Sequence, residues 1–214
     1  PGTLPGTGYG MTETCGVIAS TALEFLLDRP TSVGRAMPTF EAKCVDTCGN
    51  TLPANEIGEL VVRGAPVIRG YLNRPDATAE AIVDGWLHTG DIVHIDDDGF
   101  IYLVDRAKDM VLRGGENVYC AEVENALFRH EAVAECVVFA VPDERLGEEV
   151  GTALYLKPGE SLDATALRTH CEEYISPFKV PRYIWMLSEP LPRNANGKFV
   201  KRALKESLIL ADAV

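Results

Sequence analysis

The stretch from Gly85 to Val118, GWLHTGDIVHIDDDGFIYLVDRAKDMVLRGGENV, constrains this chain most. Two apolar segments, Trp86 to Ile95 and Phe100 to Val104, flank an Asp-rich turn ending in Gly99. Strand-forming residues interrupted by Asp and Gly in this way predict a β-hairpin. A charged segment from Asp105 to Asp109 comes next, and then a glycine pair, Gly114 and Gly115. The residues before the stretch read as β-rich, and those after it as a compact α+β unit. The stretch is therefore expected to join two bodies, with a boundary near Asp105. No Gly/Ser-rich linker marks that boundary, which predicts a short charged joint rather than a loose tether.

The flanking pattern supports this division. Phe40, Ala42 and Cys44 alternate with Glu41 and Lys43, as in a half-buried strand, and IGELVVR from Ile57 to Arg63 reads as another. Asp76 to Val83 predicts a helix with Asp76 as its cap. Residues 1–14 are rich in Gly, Thr and Pro and read as loop, and residues 20–29 as a short helix or an irregular segment. Beyond the hairpin the pattern predicts a short strand over Lys108 to Leu112 and a helix over Ala121 to His130. Strands over Cys136 to Val141 and Val150 to Leu156 come next. A helix over Leu162 to Tyr174, capped by Ser161 or Asp163, a strand over Tyr183 to Leu187 and a helix over Val200 to Leu210 complete the order. The run at 136–141 is almost wholly apolar, so its strand is expected to be buried on both faces.

The chain has 214 residues, of which 46% are hydrophobic, enough for one large or two small domains with no need for disulfides. Its 32 acidic against 20 basic residues give a net charge of −12, which argues against nucleic-acid and membrane-surface partners. Cys44 and Cys48 lie close in sequence, but no second pair completes a zinc site. The six scattered cysteines therefore read as reduced thiols in a cytoplasmic protein. No apolar run approaches the ~20 residues of a membrane span. The first residue is Pro1, with no signal peptide after it, which suggests a piece of a longer protein.

Four constellations carry chemistry. In Tyr9-Gly10-Met11-Thr12-Glu13, an aromatic can stack on a base, a hydroxyl can bond a phosphate, and a carboxylate can hold a hard cation. A loop of this kind is also an ordinary turn. In His88-Thr89-Gly90-Asp91, Asp91 can accept both hydroxyls of a ribose. The rival reading takes His88, Asp91 and His94 as metal ligands, but residues three apart on a strand point to opposite faces. In Arg106-Ala107-Lys108-Asp109, Arg106 can contact ribose or phosphate, and the glycines at 114 and 115 can admit a slender ligand. In PRNANGK, Lys198 sits on a glycine-bearing turn. Such a lysine is ordinary surface charge unless it is brought to a phosphate.

These motifs in this order resemble the C-terminal half of an adenylate-forming enzyme of the acyl-CoA synthetase, luciferase and peptide-synthetase adenylation-domain superfamily. The resemblance rests on YGMTET at 9–14, GELVVRG at 58–64, GWLHTGD at 85–91, DRAKDMVLRGGENV at 105–118, VPDERLGE at 141–148 and PRNANGK at 192–198. The glycine loop and VPDERLGE look most like acyl-CoA synthetases for fatty or aromatic acids. The resemblance implies a mixed α+β fold. Residues 1–105 would be a β-barrel-like remnant of the large domain, and residues 106–214 the small, mobile C-terminal domain.

It also implies a function. A carboxylic acid reacts with Mg·ATP to give an acyl-adenylate, and coenzyme A then takes the acyl group. Tyr9 would lie against adenine, Thr12 at the phosphates and Glu13 on Mg²⁺, with Asp91 and Arg106 on the ribose hydroxyls. Lys108 falls at the family's hinge, where other members carry Asp. Lys198 would serve adenylation, and Gly114 and Gly115 would line the pantetheine path. The small domain would rotate between the two steps. The family's Ser/Thr/Gly-rich phosphate loop is absent from the sequence, so the chain alone is expected not to adenylate and to need the N-terminal part of the same enzyme. Delivery of the acyl group to a carrier protein, a non-catalytic interaction module on the same scaffold and a luciferase-type oxygenase are the alternatives.

Overall fold

The computed structural model describes residues 5–22, 24–195, 197, 199–208 and 210–214, with the backbone alone for 202, 203 and 211. The chain divides into two compact units, Pro1–Lys108 and Asp109–Val214.

The first unit contains β1 (Gly6–Met11), β2 (Gly16–Ala22), α1 (Glu24–Asp28), β3 (Gly34–Ala36), β4 (Phe40–Val45) and β5 (Gly58–Gly64). It continues with α2 (Pro75–Ala81), β6 (Ile82–Val83), β7 (Trp86–Ile95) and β8 (Phe100–Arg106). The strands pair in the order β1-β2-β3-β8-β7-β5-β4, with β6 also on β7. Ile18, Leu60, Val62, Leu87, Val93 and Ile101 pack as its core. The fold is the expected mixed α+β, but the strand path is open: β1 and β4 are its ends, and no pairing between them closes a barrel among the described residues.

The hairpin of β7 and β8 turns where the sequence places Asp and Gly. Asp96 N donates to Phe100 O at 3.0 Å and Gly99 N to Asp96 O at 2.9 Å. Three local expectations change. Residues 6–11, read as loop, form β1, which pairs antiparallel with β2. Tertiary pairing here overrides a Gly/Thr composition, and glycine permits the approach, since a Cβ at Gly10 would sit 2.0 Å from Gly16 O. Asp76 does not cap α2: the helix starts at Pro75, whose ring presets the backbone, and Asp76 lies in the first turn. Lys108 lies in a turn, and the strand begins at Val111, where apolar residues resume.

The second unit contains β9 (Val111–Arg113), β10 (Glu116–Val118), α3 (Cys120–Phe128), β11 (Val133–Asp143) and β12 (Gly147–Leu156). It ends with α4 (Ala164–Glu172), β13 (Tyr183–Leu187) and α5 (Lys201–Ser207). The strand order is β10-β9-β12-β11, with β13 parallel to β12. Alternate residues of β11 enter two cores. Cys136 and Val138 pack with Val123, Leu127 and Leu167 of the helices, while Val137, Phe139 and Val141 pack with Trp185 and Leu204. The apolar run is thus buried on both faces, as a double-sided strand requires. Asp163 caps α4, its Oδ1 accepting from Thr165 N at 2.8 Å and Ala166 N at 2.9 Å.

Cys15 and Cys48 are exposed, and Cys44, Cys120, Cys136 and Cys171 are buried. Among the described residues no helix is long and apolar enough to cross a membrane.

Candidate functional site

The β7–β8 hairpin sets Asp91 opposite Arg106. Arg106 Nε donates to Asp91 Oδ1 at 2.8 Å. Tyr9, on β1 and 82 residues away in sequence, donates its phenol to Asp91 Oδ2. Asp91 is only 6% exposed, while half of the Arg106 side chain faces solvent. Burial, and then the bond to Asp91, push the Tyr9 phenol far above its ordinary range, so it stays protonated and donates at neutral pH.

Two further residues brace this carboxylate. The Thr89 hydroxyl donates to Leu60 O at 2.8 Å and accepts from Asp91 N at 3.1 Å. Glu59 accepts from Gly90 N at 2.9 Å through one oxygen, and its other lies 2.7 Å from His88 Nδ1. A cleft of about 660 Å³ opens beside them, lined by Tyr71, Arg74 and Thr89 among others. A fixed carboxylate beside a half-exposed guanidinium suits a vicinal diol, because the carboxylate accepts two hydroxyl protons and the guanidinium donates to the oxygens.

Directly after β1, Thr12–Thr14 form a single 3-10 turn. Buried Thr14 holds it, with Oγ1 2.9 Å from both Met11 O and Gly16 O. This leaves Thr12 exposed beside Glu13. Glu13 Oε1 accepts the Tyr71 phenol at 2.9 Å, and Glu13 O accepts Ile68 N at 2.8 Å. That first bond raises the Tyr71 pKa. Mg²⁺ binds through one or two carboxylates plus phosphate oxygens and waters. Glu13 fits such a shared ion; among the described residues no group of three His, Cys, Asp or Glu forms a dedicated cage. The rival histidines go elsewhere, His88 to Glu59 and His94 into a stack on Tyr102 at 4.6 Å.

In the second unit Gly114 and Gly115 turn β9 into β10 with φ of 60° and 91°, a region that favours glycine. Both are exposed, and Gly114 N donates to Leu146 O at 2.9 Å. Lys198 lies outside the described residues. Before it in the sequence, Arg193 donates to Gly197 O at 2.8 Å and to Glu135 Oε1 at 2.9 Å and stacks on Phe199 at 4.0 Å. The structure thus gathers Tyr9, Asp91 and Arg106, with Thr12 and Glu13 next on the same strand–turn segment. Lys108 ends the first unit as an exposed turn residue. Sequence reasoning missed Glu59, Thr89 and Tyr71 as supports; an acidic residue heading the otherwise apolar GELVV was the available signal.

Residues 4–72 match the AMP-binding enzyme family, and residues 122–198 match the AMP-binding enzyme C-terminal domain. The chain is 42% identical over 201 residues to a 2-succinylbenzoate–CoA ligase of Bacillus cytotoxicus, covering 94% of this chain and 41% of the relative. It is 46% identical over 198 residues to that of Geobacillus kaustophilus, covering 92% and 40%. Among solved structures, o-succinylbenzoate CoA synthetase of Bacillus subtilis in complex with its acyl-adenylate intermediate superposes with a TM-score of 0.84 at 36% identity, over 95% of this chain and 41% of that one. ATP-bound MatB of Rhodopseudomonas palustris gives 0.86 at 33% identity, over 94% and 40%. The chain spans about two fifths of the length of the curated relatives it matches.

Proposed function

Because the chain belongs to the adenylate-forming enzyme superfamily, we propose that it is part of an AMP-forming acid–CoA ligase acting on an aromatic acid of the 2-succinylbenzoate type. The observation that carries this reading is Asp91, buried and held between the Tyr9 phenol and the Arg106 guanidinium. The likeness to 2-succinylbenzoate–CoA ligases favours the aromatic over the fatty-acid expectation.

The reaction has two steps. In the first, an oxygen of the substrate carboxylate attacks the α-phosphorus of ATP, and the bond to pyrophosphate breaks. In the second, the thiol of coenzyme A, having lost its proton, attacks the acyl carbonyl and AMP leaves. Asp91 and Arg106 hold the ribose through both steps. Tyr9 fixes Asp91 and presents its ring to the base. Thr12 bonds phosphate. Glu13 supplies the protein oxygen of a magnesium site, and magnesium neutralises charge on the phosphates when bound. Lys198 adds a cation at the developing charge of the first step. Gly114 and Gly115 leave room for the thiol-bearing arm in the second. Lys108 belongs to the joint about which the second unit, Asp109–Val214, changes its service from one step to the other.

The test is a longer ligase containing this chain, supplied with 2-succinylbenzoate, ATP, Mg²⁺ and coenzyme A, with thioester read by chromatography. Asp91→Ala is expected to raise KM for ATP by about 10-fold or more, the loss of a charge-assisted hydrogen-bond set. Lys198→Ala should abolish ATP–pyrophosphate exchange while sparing thioester formation from supplied acyl-adenylate. The 214-residue chain alone should show no exchange, and measurable exchange would overturn its assignment as a part. An Asp91→Ala ligase with unchanged nucleotide affinity would overturn the site.

A further inference from the structure

Glu149 is fully buried, and neither step of the proposed reaction uses it. It lies on β12 and meets Arg113 in a two-point bond: Nε to Oε2 at 2.8 Å and NH2 to Oε1 at 2.8 Å. Arg182 NH1 stands 3.6 Å from Glu149 Oε1. Arg113 immediately precedes Gly114. Three further links tie the same turn to the β11–β12 hairpin. Gly114 N donates to Leu146 O at 2.9 Å, and Leu112 N donates to Glu148 Oε2 at 2.8 Å. Arg113 also pairs in register with Gly147. The hairpin is itself fixed, because Asp143 Oδ1 accepts from Arg145 N at 3.0 Å and Leu146 N at 2.9 Å.

A buried ion pair is weak evidence for stability, since apolar residues of similar volume often do as well. What a bidentate fork supplies that apolar packing does not is direction. Here it fixes where the glycine turn sits on the second unit.

A second Glu–Arg pair, joined by a single bond and partly exposed, lies beside the other functional segment of that unit. Glu135 on β11 accepts from Leu191 N at 2.8 Å and from Arg193 NH2 at 2.9 Å. Arg193 in turn donates to Gly197 O at 2.8 Å, next to Lys198 in the sequence. The two pairs share no residue.

We propose that these are step-specific positioning pairs: Arg113–Glu149 places the glycine turn for thioester formation, and Arg193–Glu135 places the Gly197 turn for adenylate formation. This rests on the acid–CoA ligase reading. Neither pair touches the reacting atoms; each acts through the turn it holds. A misplacement of about 1 Å at a reacting centre can cost on the order of 100-fold in rate.

The experiment measures both half-reactions of the longer ligase separately: ATP–pyrophosphate exchange, and single-turnover thioester formation from supplied acyl-adenylate and coenzyme A. Glu149→Gln and Arg113→Lys are expected to slow the thioester step by about 10-fold or more and to leave exchange within about twofold. Glu135→Gln and Arg193→Lys are expected to give the reverse pattern. Glu149→Gln added to Arg113→Lys should cost nothing further, since the two act as one unit. Should Glu149→Gln unfold, Arg113→Lys, which keeps the charge and loses the fork, decides. Equal loss of both half-reactions in the folded variants overturns the proposal in favour of a purely structural role, and so does no loss in either. An unmodified ligase that converts no acid to a thioester sinks the underlying functional reading instead.

Discussion

Glu135 is a carboxylate whose partners set its titration. Arg193 chiefly, against an opposing effect of burial and with help from the Leu191 N–H, holds it below its ordinary value of 4.5. The unfolded chain then binds this proton more tightly than the folded one. The stabilisation is therefore present above about pH 4.5 and is lost as pH falls through the lower folded value. Urea midpoints of the second unit should drop as pH falls below about 4.5, and Arg193→Ala should flatten part of that drop. An unchanged slope in the variant would show that other acids govern it. Residues of this kind were only half legible in the sequence. Asp91 and Arg106 stood out as polar groups that can meet a ribose and by their places in the motifs, while their pairing across the hairpin came only with the fold. Glu149 did not, because GEE beside a turn reads as solvated charge, and burial comes from tertiary pairing to Arg113 that no local pattern carries.

The short helix α4 depends on its first turn. Asp163 satisfies two N–H groups that have no partner within the helix. Asp163→Ala should lower the stability of the second unit by about 1 kcal/mol, read as a shift in its urea midpoint. A shift confined to the first unit would be inconsistent with that role. This cap was half legible: the sequence offered Ser161 or Asp163, and the helix begins at Ala164, after Asp163. β7, β8, β11 and β13 were legible, for their apolar content and bounding turns leave little choice of element. β1 was not, for its glycines look like loop until β2 lies beside them. Neither were β3 and β10, strands of three residues each that exist by pairing rather than by propensity.

Each of the two units has its own apolar core and its own tryptophan, Trp86 in the first and Trp185 in the second. Fluorescence of Trp86→Phe and Trp185→Phe variants should therefore report different denaturant midpoints, whereas superimposable curves would mean a single cooperative transition. The break after Lys108 falls within the charged residues 105–109, of which 107–109 form a turn, the clearest interruption of apolar pattern between the β-rich and the α+β halves. The cysteines have a practical consequence at this scale. All three in the second unit are buried, and burial pushes the Cys171 thiol up to about 11 and Cys136 higher still. The thiolate is the reactive form. A maleimide at neutral pH should therefore mark Cys15 and Cys48 quickly and leave the second unit dark. With Cys48 replaced by serine and one surface cysteine added to the second unit, a donor and an acceptor dye can be installed one on each unit. Energy transfer between them then becomes a clock for the rearrangement proposed between the two proposed chemical steps.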